Sequence, residues 1–210
     1  MNPRKESNNK YDILLSGVGG MGILTASRLI TDAARIESKN VIMSEIHGLS
    51  QRGGMVYTMV RLGKVVAPLI KKGSVDTLIA LEATESMRYL EKMDPNGTII
   101  VNDNLVVPPI VTAGVGKKTS FSKIKRKLET FSDNVTIVPA LKIAEGLGNP
   151  IVQNVVLIGV FFAHVTSPLA KESGKKAIKT RFKEKGEKIV DLNLRAFERG
   201  LEIGQKLFRQ

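Results

Sequence analysis

Cysteine is absent from this chain of 210 residues. The chain therefore has no disulfide, no thiolate nucleophile, and no cysteine-ligated zinc site or iron–sulfur cluster of its own. Histidine is scarce, at 2 residues, and no carboxylates and histidines fall at metal-ligand spacing. Aromatic residues make up only 5%, and none cluster as a base-stacking RNA platform would require. No apolar run approaches the ~20 residues of a membrane span. The first ten residues, MNPRKESNNK, are polar and charged with no apolar stretch behind them, so a flexible N-terminus is expected there and not a signal peptide. These absences lead to the expectation of a cytoplasmic protein without a membrane partner. The sequons at Asn96 and Asn134 then read as chance matches.

What the chain does have is positive charge, a formal net +12. The basic residues are spread, with one denser run, GKKTSFSKIKRKLETF, over 116–131. A solvated lysine-rich helix face accounts for that run best, an acidic protein partner second, and nucleic acid last. With 42% hydrophobic and 25% charged residues, the composition is that of an ordinary folded domain able to bury a core. One domain over 11–210 is expected, with neither repeat nor linker.

The periodicity alternates between strand and helix. YDILLS (11–16) is a buried-strand pattern, and ILTASRLITDAARIE (23–37) places Ile23, Ala26, Leu29, Ala33 and Ile36 on one helical face. NVIMSE (40–45) is a second strand, completing a β-turn-α-β unit of the length a parallel crossover requires. GMVYTMVRLG (54–63) follows too closely for a helical crossover, so an antiparallel connection is predicted there. Further strands are expected at 75–82, 96–103 and 135–140, and helices at 83–93, within 116–131 and up to about 146. IVQNVVLIGVFFAHV (151–165) is too long for one strand and reads as a buried helix, with His164 at its end capped by solvent or a carbonyl. The last helix carries Val190, Leu194, Phe197, Leu201 and Phe208 on one stripe, expected to pack on the sheet in preference to meeting a partner. The predicted fold is α/β: a three-layer Rossmann-like domain with a mixed, mostly parallel sheet and a helical C-terminal layer.

Two stretches carry candidate chemistry. Gly17, Gly19 and Gly22 match G-x-G-x-x-G between a strand and a helix, where backbone N–H groups at a helix start face an arriving anion. Glu45 ends the second strand near the spacing of a ribose-binding acid. Dinucleotide binding and a purely structural strand–helix turn are both open on these residues. The second stretch, SEIHGLSQRGG (44–54), sets His47, Gln51 and Arg52 beside Glu45 and ends in a glycine pair. So many polar side chains at one sheet edge suggest a contact surface or a pocket wall. His47 suits acid–base work, and Glu45 two residues away would point the same way from a strand. With no matching nucleophile, an isolated enzyme lacks parts.

GVGGMGILTAS, SEIHGLSQRGGMVYTMVRLG, LIALEATESMRYL, GNPIVQNVVLIG and LNLRAFERG occur in this order. In this order they resemble the small, gamma-type subunit of 2-oxoacid:ferredoxin oxidoreductases, most nearly the indolepyruvate type. The resemblance implies a large partner subunit that holds thiamine diphosphate and [4Fe-4S] clusters. It also implies a 2-oxoacid, coenzyme A and ferredoxin as reactants of the complex, this chain being inactive alone. It matches Gly17, Gly19, Gly20 and Gly22 to the family's glycine turn. Ser44, Glu45, His47, Gly48, Gln51, Arg52, Gly53 and Gly54 match its second signature, as cofactor-binding or partner-interface residues. Met21 departs from the glutamine common in that family. The carboxylate that assists thiamine is expected on the large subunit, not at Glu45 or Glu82. A free-standing NAD(P)- or nucleotide-binding protein is the alternative.

Overall fold

A computed structural model describes residues 10–48, 54–106 and 119–208. The strands are β1 (Lys10–Val18), β2 (Val41–His47), β3 (Met55–Gly63), β4 (Val75–Ala80), β5 (Met93–Asn102) and β6 (Val135–Val138). The helices are α1 (Ile23–Ile36), α2 (Ala83–Ser86), α3 (Phe121–Phe131), α4 (Ala140–Gly146), α5 (Gln153–Ala163), α6 (Lys171–Phe182) and α7 (Glu187–Leu207).

The strands form one sheet in the order β2-β3-β1-β4-β5-β6. β1, β4, β5 and β6 are parallel, and β3 runs antiparallel to β1 on one side and to β2 on the other. The expected mixed sheet and antiparallel third strand are therefore present. The expected neighbour of β1 is not: β3 lies between β1 and β2. The link from β2 to β3 is too short to cross the sheet, so β3 must return beside β2, and its other edge then takes the place next to β1.

Strand alternation divides the core into two faces. Ile13, Leu15, Val60, Ile79, Leu81 and Ile100 pack under α1 and α5. Leu14, Met59, Leu78, Ala80, Ile99 and Val101 pack with Ile124 and Leu128 of α3. The central strands carry apolar residues on both sides because both faces are covered. Apart from its two buried residues α3 is largely solvated, as a lysine-rich helix of that pattern should be.

The helix expected at 83–93 is only the single turn of α2, followed by a tighter 3-10 stretch at Met87–Lys92. The crossover must end by Met93, which already pairs with Val75 and is buried. Ile36, placed on the inner face of α1 by periodicity, is 41% exposed at the helix end.

α5 is buried from Gln153 to Phe162, as its continuous apolar run predicts. The last helix does not lie on the sheet. α7 packs on α5 and α6, burying Asn193, Ala196, Phe197, Gly200, Leu201 and Gly204, while Val190 and Leu194 stay half-buried at its margin. The approach is close: a Cβ on Gly200 would stand 2.1 Å from the Val156 carbonyl oxygen, and one on Gly159 would stand 2.2 Å from that of Phe197. At the end of α5, His164 Nδ1 lies 2.8 Å from the Thr166 hydroxyl, a side-chain partner where solvent or a carbonyl was expected.

On the second face, the Arg61 guanidinium forks onto Asp12, with Nε to Oδ1 at 2.8 Å and a terminal nitrogen to Oδ2 at 3.1 Å. Its other terminal nitrogen donates to the carbonyls of Ala67 and Leu69, each at 2.8 Å. A buried cross-strand ion pair thus also fixes the loop that follows β3.

Candidate functional site

The glycine turn and the second signature meet at the carboxyl edge of the parallel strands. Gly17 and Val18 pair with Val56 and Met55. The Gly19 N–H donates to the Gly54 carbonyl at 2.9 Å, and the Gly48 N–H to the Met55 carbonyl at 3.0 Å. Glu45 and His47 occupy register positions opposite Thr58 and Val56. Ser44 turns to the other face, where its hydroxyl donates to the Pro68 carbonyl at 3.3 Å. Gln51, Arg52 and Gly53 lie outside the described residues, so the crowding expected of them is not described.

Each glycine of the turn meets a different demand. A Cβ on Gly17 would press at 3.1 Å against both Ile23 and Leu81. Gly22 holds a left-handed φ of 78° at the start of α1, and a Cβ there would meet Asn154 Nδ2 at 2.4 Å. That amide donates to the Gly22 carbonyl at 3.0 Å, so α5 clamps the turn from behind. Gly20 has φ +99° and no described residue within 4 Å of a Cβ built there, which makes its requirement conformational. Met21 packs against the first core face, an apolar contact in place of the polar one its family counterpart would make.

The ribose position does not survive this geometry. In a dinucleotide fold the acid-bearing second strand lies next to the first. Here β3 intervenes, so Glu45 stands two strand spacings, roughly 10 Å, from β1.

Residues missed by sequence reasoning complete the edge. Asn102, at the end of β5, donates to the Leu81 carbonyl at 3.1 Å and to Gln153 Oε1 at 2.8 Å, and accepts from the Ala140 N–H at 3.1 Å. One amide ties the ends of β4 and β5 to the starts of α4 and α5. Glu82 caps α2 by accepting from the Glu85 N–H at 2.8 Å, and its second oxygen accepts from the Val106 N–H at 3.0 Å. The signal for that cap was in the sequence, an acid just before the helix.

Beside it, Glu85 is buried. Arg88 donates to one of its oxygens at 2.9 Å, and the other has no hydrogen-bond partner among the described residues. Desolvation raises its pKa, against the pull of Arg88. Burial likewise raises the pKa of Tyr89, helped by the nearby Glu85. The Tyr89 ring rests 4.7 Å from that of Tyr57, and Tyr57 lies in register with Ser16, whose buried hydroxyl also has no partner among the described residues. β1 and β4 are the strands at which the chain order reverses, the usual crevice of an open α/β sheet. Ser16, Tyr57, Glu85 and Tyr89 therefore form a polar and aromatic wall beside the glycine turn.

Residues 12–203 match the family described as pyruvate ferredoxin/flavodoxin oxidoreductase. The chain belongs to this family. It is 40% identical over 191 residues to the indolepyruvate oxidoreductase subunit IorB of Archaeoglobus fulgidus, covering 91% of this chain and 94% of that one. With the protein of the same name from Pyrococcus horikoshii it shares 34% over 200 residues, 94% of this chain and 98% of the other. Among solved structures, the gamma subunit of a keto/oxoacid ferredoxin oxidoreductase from Geobacter sulfurreducens superposes with a TM-score of 0.69 at 25% identity, covering 94% of this chain and 97% of that chain. The α/β fold with its mixed, mostly parallel sheet is that of the gamma subunit.

No three or more His, Cys, Asp or Glu among the described residues are placed to hold a metal ion. Both Glu82 oxygens accept from backbone N–H groups. No helix among the described residues is long and apolar enough to cross a membrane.

Proposed function

We propose that this chain is the small, non-redox subunit of a 2-oxoacid:ferredoxin oxidoreductase of the indolepyruvate type. The observation that carries the reading is the near full-length match to indolepyruvate oxidoreductase subunits. The meeting of both signatures at one sheet edge supports it. In this reading a large subunit holds thiamine diphosphate and [4Fe-4S] clusters. The complex decarboxylates an arylpyruvate, passes two electrons to ferredoxin and releases an aryl-acetyl-CoA in the cytoplasm. Gly17, Gly19, Gly20 and Gly22, with Ser44, Glu45, His47 and the segment Gln51–Gly54, face the cofactor-bearing partner. The chain shapes and closes the site and performs no electron transfer itself.

The test is reconstitution. The purified chain alone should be colourless and inactive. Co-expressed with a thiamine- and cluster-bearing large subunit, it should give a brown complex that reduces viologen with indolepyruvate and coenzyme A, faster than with pyruvate. Activity of the isolated chain, or failure to bind such a subunit, would sink the reading. Tight NAD binding by calorimetry, abolished in Glu45→Ala, would favour the nucleotide alternative.

A further inference from the structure

The loop after β3, Lys64 to Ile70, is ordered without being covered. Arg61 holds the carbonyls of Ala67 and Leu69, Ser44 holds that of Pro68, and Ile70 is buried beneath. Yet Val66 is 101% exposed and Leu69 61%. Immobilising a loop costs conformational entropy, and here the immobilised tip presents two large apolar side chains to solvent. Beside it lies β2, VIMSEIH, which among the described residues pairs only with β3 and stays half-exposed from Val41 to Ile46. Edge strands that stand alone in water are usually short or guarded by lysine or proline; β2 contains neither, and Val41, Ile42, Met43 and Ile46 are half-exposed along it. The Ser44–Pro68 bond joins strand edge and loop into one surface.

We propose that the outer edge of β2 and the Val66–Leu69 loop tip together are the docking surface for the large subunit, an inference that rests on the subunit reading above. A second copy of this chain fits poorly, because a twofold contact would set the exposed Lys64 and Lys71 against their own copies. Ferredoxin fits poorly too. It must approach a redox centre, and a chain without cysteine offers it no cluster here. A fixed apolar tip with a lysine rim suits a permanent partner that carries acidic residues around an apolar pocket.

The experiment compares co-purification of the large subunit with the tagged full chain and with Val66→Asp/Leu69→Asp. Both positions are exposed, so the variant should keep the wild-type circular dichroism and Tm while binding the large subunit about 100-fold more weakly, as loss of central apolar anchors does. Ile151→Asp and Val165→Asp, exposed elsewhere at 68% and 81%, should assemble normally. Three outcomes overturn the inference: a double variant that assembles like wild type, control variants that dissociate equally, or a wild-type homodimer in light scattering that the double variant abolishes. If the wild-type chain itself never binds a large subunit, the subunit reading falls and this surface loses its occupant with it. If wild type binds and the double variant binds equally, only the docking surface is wrong.

Discussion

Two sets of glycines serve this fold in opposite ways. The set at 17–22 stands in a recognisable motif, and its central member, Gly20, has nothing among the described residues within 4 Å of where a Cβ would be. The set where α5 crosses α7 follows no motif, yet a Cβ on Gly159 or Gly200 would collide with backbone oxygens. At Gly20 glycine is needed for its dihedral angles, and in the crossing for its lack of volume. Motif glycines are therefore not the ones whose space is most tightly filled. A backbone oxygen inside a packed helix pair has nowhere to move, whereas a left-handed angle costs a side chain only about 1–2 kcal/mol.

The largest expected effect follows from that contrast. Gly200→Val should destabilise the chain by about 3 kcal/mol, the upper end for overpacking, seen as a lower urea midpoint and Tm. A loss below about 1 kcal/mol would mean that the two helices can part freely, and the contrast would collapse. Next comes Gly22→Ala, expected to cost about 2 kcal/mol, since it combines a left-handed angle with a collision against Asn154. Gly20→Ala, with the angle alone, should cost about 1 kcal/mol. Asn154→Ala should bring the Gly22 value toward the Gly20 value in a double-mutant cycle, and strict additivity would show that the amide is no part of the constraint.

The smallest effect sharpens the polar side of the edge. Burial raises the Glu85 pKa in the folded state. The native chain thus keeps that proton at a pH where the unfolded chain has released it. Stability should fall as pH rises from the ordinary carboxylate range through the folded-state pKa. Glu85→Gln keeps a neutral side chain of the same shape and should flatten that part of the Tm-versus-pH curve. An unchanged slope in the variant would show that another group carries it.

Much of the architecture was legible before any coordinates. The double-sided burial of β1, β4 and β5, the buried α5 and the antiparallel third strand all follow from local patterns, because alternation and loop length act over a few residues. The family signatures were legible for the same reason, being contiguous. What was not legible was pairing at a distance. Nothing in NVIMSE says that β3 will separate it from β1 and move Glu45 away from the glycine turn. Nothing in a lone Asn102 announces that one amide will join four elements. Nothing in the spacing of Glu85 announces that it is buried where α2 meets β1.

The sequence by itself determined most of the inward-facing apolar positions, that the chain has no cysteine to ligate a cluster, and to which family it belongs. Only the tertiary structure decided which strands are neighbours, which glycines bear backbone contacts, and which polar atoms are left buried without partners. Side-chain periodicity is a property of the local backbone. Strand order and helix approach depend on what arrives from elsewhere in the chain, and on how little space is left when it does.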